Sequence, residues 1–338
     1  MTTISQMNKI YLNHKSDFNF SIVSLVLAIV AITSGSLLLP SNISAANSKS
    51  VSQTVQMDFD GDGKSDTAIF RNGDWFVNQS VDGFKAQTFG LSTDTPVPAD
   101  FDGDQKTDMA IWRPTDVEGE PDFFVLKSSD NTLTGVAWGN IGDIPVCDDF
   151  DGDRLVDYAV YRPGTDGDFF ILFQANISSN PTVRHFRFGV QGDKPVVADY
   201  SGDGRADFAV FRPSNSTWYI NYSSQGSDNF KYYTFGLSED KLVPADYDGD
   251  GEADLAVFRE SDQTWYIRQS SVGLMRRQKW GLASDKLVPA DYDGDSVADI
   301  AVYRDGDWYI LQSSNNLADN SKKFGNSTDV PLPSLSVR

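Results

Sequence analysis

DYDGDGEADLAVFR (residues 246–259) is written, with small changes, six times in this chain. The other copies are DFDGDGKSDTAIFR (58–71), DFDGDQKTDMAIWR (100–113), DFDGDRLVDYAVYR (149–162), DYSGDGRADFAVFR (199–212) and DYDGDSVADIAVYR (291–304). Their starts lie 42, 49, 50, 47 and 45 residues apart. A period in the forties marks one supersecondary unit stacked repeatedly, because no single unit buries its apolar face alone.

Around the quoted stretch the fifth unit reads as four short strands. Leu242 to Tyr247 is apolar and precedes the Asp/Gly loop; Asp254 to Arg259 is rich in β-formers. Thr264 to Gln269 follows a turn, and Arg277 to Gly281 ends at a glycine. No segment has helical periodicity. Four strands in about 45 residues match a propeller blade rather than a solenoid coil, so the expected fold is an all-β propeller of six four-stranded blades. The Asp/Gly loop then joins first and second strands. A seven-bladed or incompletely closed variant stays open, because Asp329-Val-Pro-Leu-Pro333 copies the lead-in to a further unit. Leu335 stands where that unit's first loop aspartate belongs. This fragment and Val55-Gln56-Met57 compete for the innermost strand of the first blade.

Aromatic residues recur in register. Phe70, Trp112, Tyr161, Phe211, Phe258 and Tyr303 end the second strands, and Trp75, Phe123, Phe169, Trp218, Trp265 and Trp308 sit in the third. Phe89, Trp138, Phe188, Phe235, Trp280 and Phe324 precede the closing glycines. Residues present in every unit are read as packing between blades rather than as a ring of sugar platforms. Arg71, Arg113, Arg162, Arg212, Arg259 and Arg304 also recur. Each needs a carboxylate, from a nearby loop or from Asp329, Asp94, Asp143, Asp193, Asp240 or Asp285.

The loops carry the chemistry. Carboxylates stand at positions 1, 3, 5 and 9 in Asp58, Asp60, Asp62, Asp66; in Asp100, Asp102, Asp104, Asp108; and in Asp149, Asp151, Asp153, Asp157. The pattern repeats in Asp246, Asp248, Asp250, Asp254 and in Asp291, Asp293, Asp295, Asp299, whereas the fourth loop has Asp199, Ser201, Asp203, Asp207. Two carboxylates about 5 Å apart at an effective dielectric near 20 repel by roughly 3 kcal/mol, and each loop has several such pairs. An all-oxygen cage on a tightly turning backbone suits Ca2+ better than Mg2+. The expectation is up to six calcium ions, weakest at 199–207, where a hydroxyl replaces a carboxylate. Zinc and copper lack their nitrogen and sulfur ligands, since the chain holds two histidines and one cysteine. Cys147 is read as a small apolar strand residue.

With the apolar strand, the Phe-Gly ending and the Asp-x-Pro-Val approach, this pattern resembles the FG-GAP/VCBS repeats of integrin α-type propellers and many bacterial secreted proteins. The resemblance covers about residues 53–335. It implies calcium in a hairpin loop on one propeller face with a structural role, and partners bound through other loops. It leaves function open, since members include adhesins, lectins and non-catalytic parts of enzymes.

The formal net charge of −20 argues against a nucleic-acid partner, which needs clustered Lys and Arg. The 23 loop aspartates are nearly half of the 48 acidic residues, so the acidity belongs to the loops rather than to a general solvated surface. Lys9 and Lys15 precede an apolar run from Ile22 to Leu39 and the small residues Ser44-Ala45-Ala46. Residues 1–46 therefore read as a secretory signal cleaved after Ala46, or as an uncleaved membrane anchor. Residues 47–52 form a linker and 53–338 one propeller domain, secreted or on the cell surface or periplasm. The expected role is a non-catalytic binding or adhesion module for an extracellular glycan or protein, with a membrane only through the N-terminal segment. The alternatives are a polysaccharide-active enzyme and a purely architectural envelope protein. Candidate contacts lie where the repeat breaks: Asp116–Asp122, Thr165–Asp168, Arg184–Arg187 and Arg276–Lys279.

Overall fold

The computed structural model describes residues 57–174, 181–223 and 230–332; the apolar run at 22–39 and the proposed linker lie outside them. Among the described residues no helix is long and apolar enough to cross a membrane. The chain forms six four-stranded antiparallel sheets arranged as a six-bladed β-propeller. Blade five is typical. Lys241–Leu242 lies innermost, followed outward by Leu255–Arg259, Thr264–Arg268 and Met275–Lys279. The fourth strand begins two residues earlier than the sequence suggests and stops before Trp280, whose N–H donates to Gln263 O at 3.2 Å in the blade's other turn.

The recurrent aromatics occupy the seams. Trp75, Phe123, Phe169, Trp218, Trp265 and Trp308 are all 0 % exposed, and each joins a cluster that spans two neighbouring blades. In the seam between blades four and five, Trp218, Ile220 and Tyr222 pack with Leu255, Val257 and Tyr266. Each such ring removes roughly 150–250 Å2 from water, about 4–6 kcal/mol at 25 cal/mol per Å2. The seams therefore carry most of the burial.

The two candidates for blade one's innermost strand share it. Val330–Leu332 pairs antiparallel with Phe70, Ile69 and Ala68. Below it, Met57 O accepts the N–H of Asp66, the position filled by Ala99, Asp148, Ala198, Ala245 and Ala290 elsewhere. Both Met57 and Leu332 enter one core cluster. The two chain ends thus close the ring inside one blade.

The recurrent arginines take the second of their two expected partners. Arg113, Arg162, Arg212, Arg259 and Arg304 each grip the aspartate 19 residues earlier through Nε and a terminal nitrogen. Arg71 reaches Asp329, 258 residues away, with contacts of 2.5 and 2.7 Å. Planar two-point pairing is what guanidinium and carboxylate geometry favours. Each of these arginines also lies over an aromatic ring of its own blade, from Phe76 in the first to Tyr309 in the sixth.

Candidate metal centres

Each Asp/Gly loop folds around its first carboxylate. Asp58 Oδ1 accepts the N–H groups of Gly61 (2.6 Å) and Asp62 (3.2 Å), and Oδ2 accepts that of Gly63 (2.8 Å). Position 4 must turn left-handed, with φ +82° at Gly61, which glycine allows without strain. The ninth carboxylate braces the loop. Asp66 Oδ2 accepts the N–H of Phe59 and Oδ1 that of Ser80, at 2.8 and 2.7 Å. The same double role recurs at Asp108, Asp157, Asp207, Asp254 and Asp299.

Not all four predicted positions converge. Carboxylate oxygens within 4.8 Å of one another come from positions 1, 3 and 5 in the first, fifth and sixth loops, and from 1, 3 and 9 in the second and third. These clusters can hold a metal ion. Among the described residues the fourth loop assembles no such group, and Ser201 Oγ turns inward to Asp199 Oδ1 at 3.4 Å.

Serines in the turn after the third strand complete the centres. Ser80, Ser128, Ser270 and Ser313 donate through Oγ to the fifth carboxylate. Ser129, Ser271 and Ser314 donate to the third. The recurrent Gln-Ser and Ser-Ser after that strand was the available sequence signal. With these donors placed, one oxygen stays open: Asp60, Asp248 and Asp293 each hold a buried Oδ1 with no hydrogen-bond partner. A buried carboxylate oxygen without a donor is costly, and a hard cation satisfies it. The donor set is oxygen only, which fits calcium, magnesium or manganese.

Electrostatics agree. Burial, followed by lesser repulsion from neighbouring loop carboxylates, pushes Asp66, Asp207, Asp254 and Asp299 up to about 7, Asp108 to about 6 and Asp157 to about 8. Burial also raises the first carboxylate of every loop. A bound cation acts against both effects.

The loops touch around the whole ring. The eighth residue's N–H donates to the first aspartate's carbonyl in the preceding blade: Thr107 to Asp58, Val156 to Asp100, Ala206 to Asp149, Ala253 to Asp199, Ala298 to Asp246 and Ser65 to Asp291. The seventh side chain lies over the preceding loop's position-4 glycine, as Lys106 does over Gly61 and Lys64 over Gly294. Six loops therefore form one belt on one face, with the sixth bonded to the first.

The irregular segments fall into two kinds. Asp122 is buried and its Oδ1 accepts the N–H of Thr115, so it braces its turn. Thr165–Asp168 and Arg184–Arg187 meet: His185 Nε2 lies 2.9 Å from Asp168 Oδ1, and Arg187 pairs with Asp166 and Asp168. Burial pushes the Cys147 thiol up to about 12, leaving it uncharged.

Residues 199–257 match the model of the FG-GAP-like repeat, from the fourth loop into the second strand of blade five. No curated protein matched the sequence. Among solved structures the chain is similar to a lectin of Agrocybe aegerita that recognises non-reducing terminal N-acetylglucosamine. Identity there is 14 %, over 81 % of this chain and 91 % of that one, with a TM-score of 0.47. It is also similar to virginiamycin B lyase of Staphylococcus aureus, at 10 % identity over 77 % and 85 % of the two chains and a TM-score of 0.45. Apo AztD of Citrobacter koseri matches at 13 % identity over 78 % and 89 %, with a TM-score of 0.44. The chain is thus a six-bladed β-propeller in which residues 199–257 match an FG-GAP-like repeat.

Proposed function

We propose that this protein is a calcium-stabilised propeller that acts outside the cytoplasm as a non-catalytic binding module for a glycan or protein. The observation that carries the reading is the division of labour among its carboxylates. Those of the repeat are spent on the belt of loops, where the open Oδ1 atoms of Asp60, Asp248 and Asp293 call for a cation. Repetition in every blade marks these aspartates as scaffold, so the chemistry of recognition falls to surfaces that differ between blades. The lead-in from Lys9 through Ala46 supports export, and millimolar calcium is available there.

The test is a glycan array together with pull-downs from cell-surface extract, run in millimolar calcium and repeated after chelation. A partner captured with calcium and lost without it is the expected result. Uniform silence in both assays contradicts the reading, as does turnover of a polysaccharide abolished by changing one non-repeated residue.

A further inference from the structure

We propose that the outer cleft between blades four and five is a groove for a linear acidic polysaccharide; this rests on the reading of the protein as a binding module. The fourth strand of blade five, Met275–Lys279, faces outward on a chain with 48 acidic and 28 basic residues. Cross-strand partners share a sheet face. Lys279 stands opposite Thr264, Arg277 opposite Tyr266 and Arg268 opposite Met275. Lys279, Arg277 and Arg268 thus form a row of cations on one face, stepped by about 7 Å at 3.3 Å per strand residue.

That face looks at blade four, because Tyr266 packs in the seam with Trp218 and Tyr222. Blade four answers with Lys231 and Tyr233. Three cation–aromatic contacts line the cleft: Arg268 over Tyr233 at 4.7 Å, Lys231 over Tyr222 at 4.7 Å and Arg277 over Tyr266 at 5.6 Å. Among the described residues none of these cations is within ion-pair distance of a carboxylate, although every strand-ending arginine is paired. Arg277, Lys231 and Lys279 are exposed.

Charge complementarity selects the ligand. A guanidinium stacked on tyrosine keeps its N–H edge free for a carboxylate or sulfate. A row of single cations suits a polymer with about one anion per sugar or pair of sugars. Nucleic acid fits less well, since the whole chain carries −20 and duplex DNA places one charge per about 1.7 Å.

Fluorescence anisotropy with labelled heparin and polygalacturonate tests the groove and separates sulfate from carboxylate recognition; dextran and single-stranded DNA serve as controls. The expected result is binding of at least one acidic glycan at about 50 mM salt that weakens at about 300 mM, with dextran silent. The double variant Arg277→Glu, Lys279→Glu binds about tenfold or more weakly, while Lys85→Glu on blade one binds like the wild type. Lys231→Glu provides the same reading should the double variant melt early. Failure to bind either acidic glycan overturns the inference, and so does undiminished binding by the folded variants or a preference for DNA. A neutral-glycan or protein partner alongside silent acidic glycans removes the groove and leaves the binding module standing; silence from every probe removes both.

Discussion

Without calcium, the protein loses stability as pH rises from about 4 to about 8. The six ninth-position aspartates have an ordinary value of 3.8 and lie at about 6 to 8 in the fold. Across that window the native state holds protons that the unfolded chain has released. The stability these groups contribute is therefore complete below about 3.8 and lost once pH passes their folded values. Moving a carboxyl from 3.8 to about 7 makes its ionisation in place cost on the order of 4 kcal/mol. Even one such cost is a large share of the roughly 5–15 kcal/mol that holds a typical domain together. A cation in each of the five loops that assemble a carboxylate cluster removes most of that loop's penalty by stabilising the ionised form. Scanning calorimetry in chelator at pH 5 and pH 8 should give the lower melting temperature at pH 8, and millimolar calcium should raise the pH 8 value most. A metal-free melting temperature that climbs across this range contradicts the electrostatic account.

Arg71→Ala weakens the fold by about 3–5 kcal/mol, the range for orphaning one partner of a buried ion pair. Asp329 is 0 % exposed, so the substitution strands a buried carboxylate that keeps the N–H of Asn326, at 2.7 Å, as a backbone donor. Asp329→Ala costs less, because the Arg71 side chain is 33 % exposed and can turn its charge to water. The pair matters beyond its own energy, since it ties residues 258 apart beside the strand where the two chain ends meet. Cutting the chain after Thr328 removes Asp329 and the strand Val330–Leu332 together, and leaves Phe70, Ile69 and Ala68 without a ladder partner on the inner edge of their sheet. That truncated chain should show no cooperative unfolding in urea. An Arg71→Ala midpoint equal to the wild type, or a cooperative transition in the truncated chain, would overturn the closure argument.

The fold was legible because six near-copies of one line expose their period directly, and alternating β-formers around each loop leave little competing structure. The arginine partners were legible only to a choice of two, since a bidentate pair depends on where the strand before the loop ends. Blade one's inner strand was not legible: two fragments each looked sufficient, and only the register of Val330–Leu332 against Phe70–Ala68 shows that they divide it with Met57. At the loops, spacing named the carboxylates but not their geometry. It could not show that the ninth aspartate spends both oxygens on backbone N–H groups. Nor could it show that Ser80 and its counterparts close over the fifth, because those contacts cross from a turn 14 or more residues away. The belt was equally hidden, as it joins backbone atoms of neighbouring blades.

Calorimetric titration of the metal-free protein with calcium tests the scaffold account most directly. It predicts five sites filled together, at the loops beginning with Asp58, Asp100, Asp149, Asp246 and Asp291, and a weaker or silent sixth at Asp199 that Ser201→Asp strengthens. No heat and no shift in melting temperature up to about 10 mM calcium, beyond the usual range for extracellular modules, would contradict it.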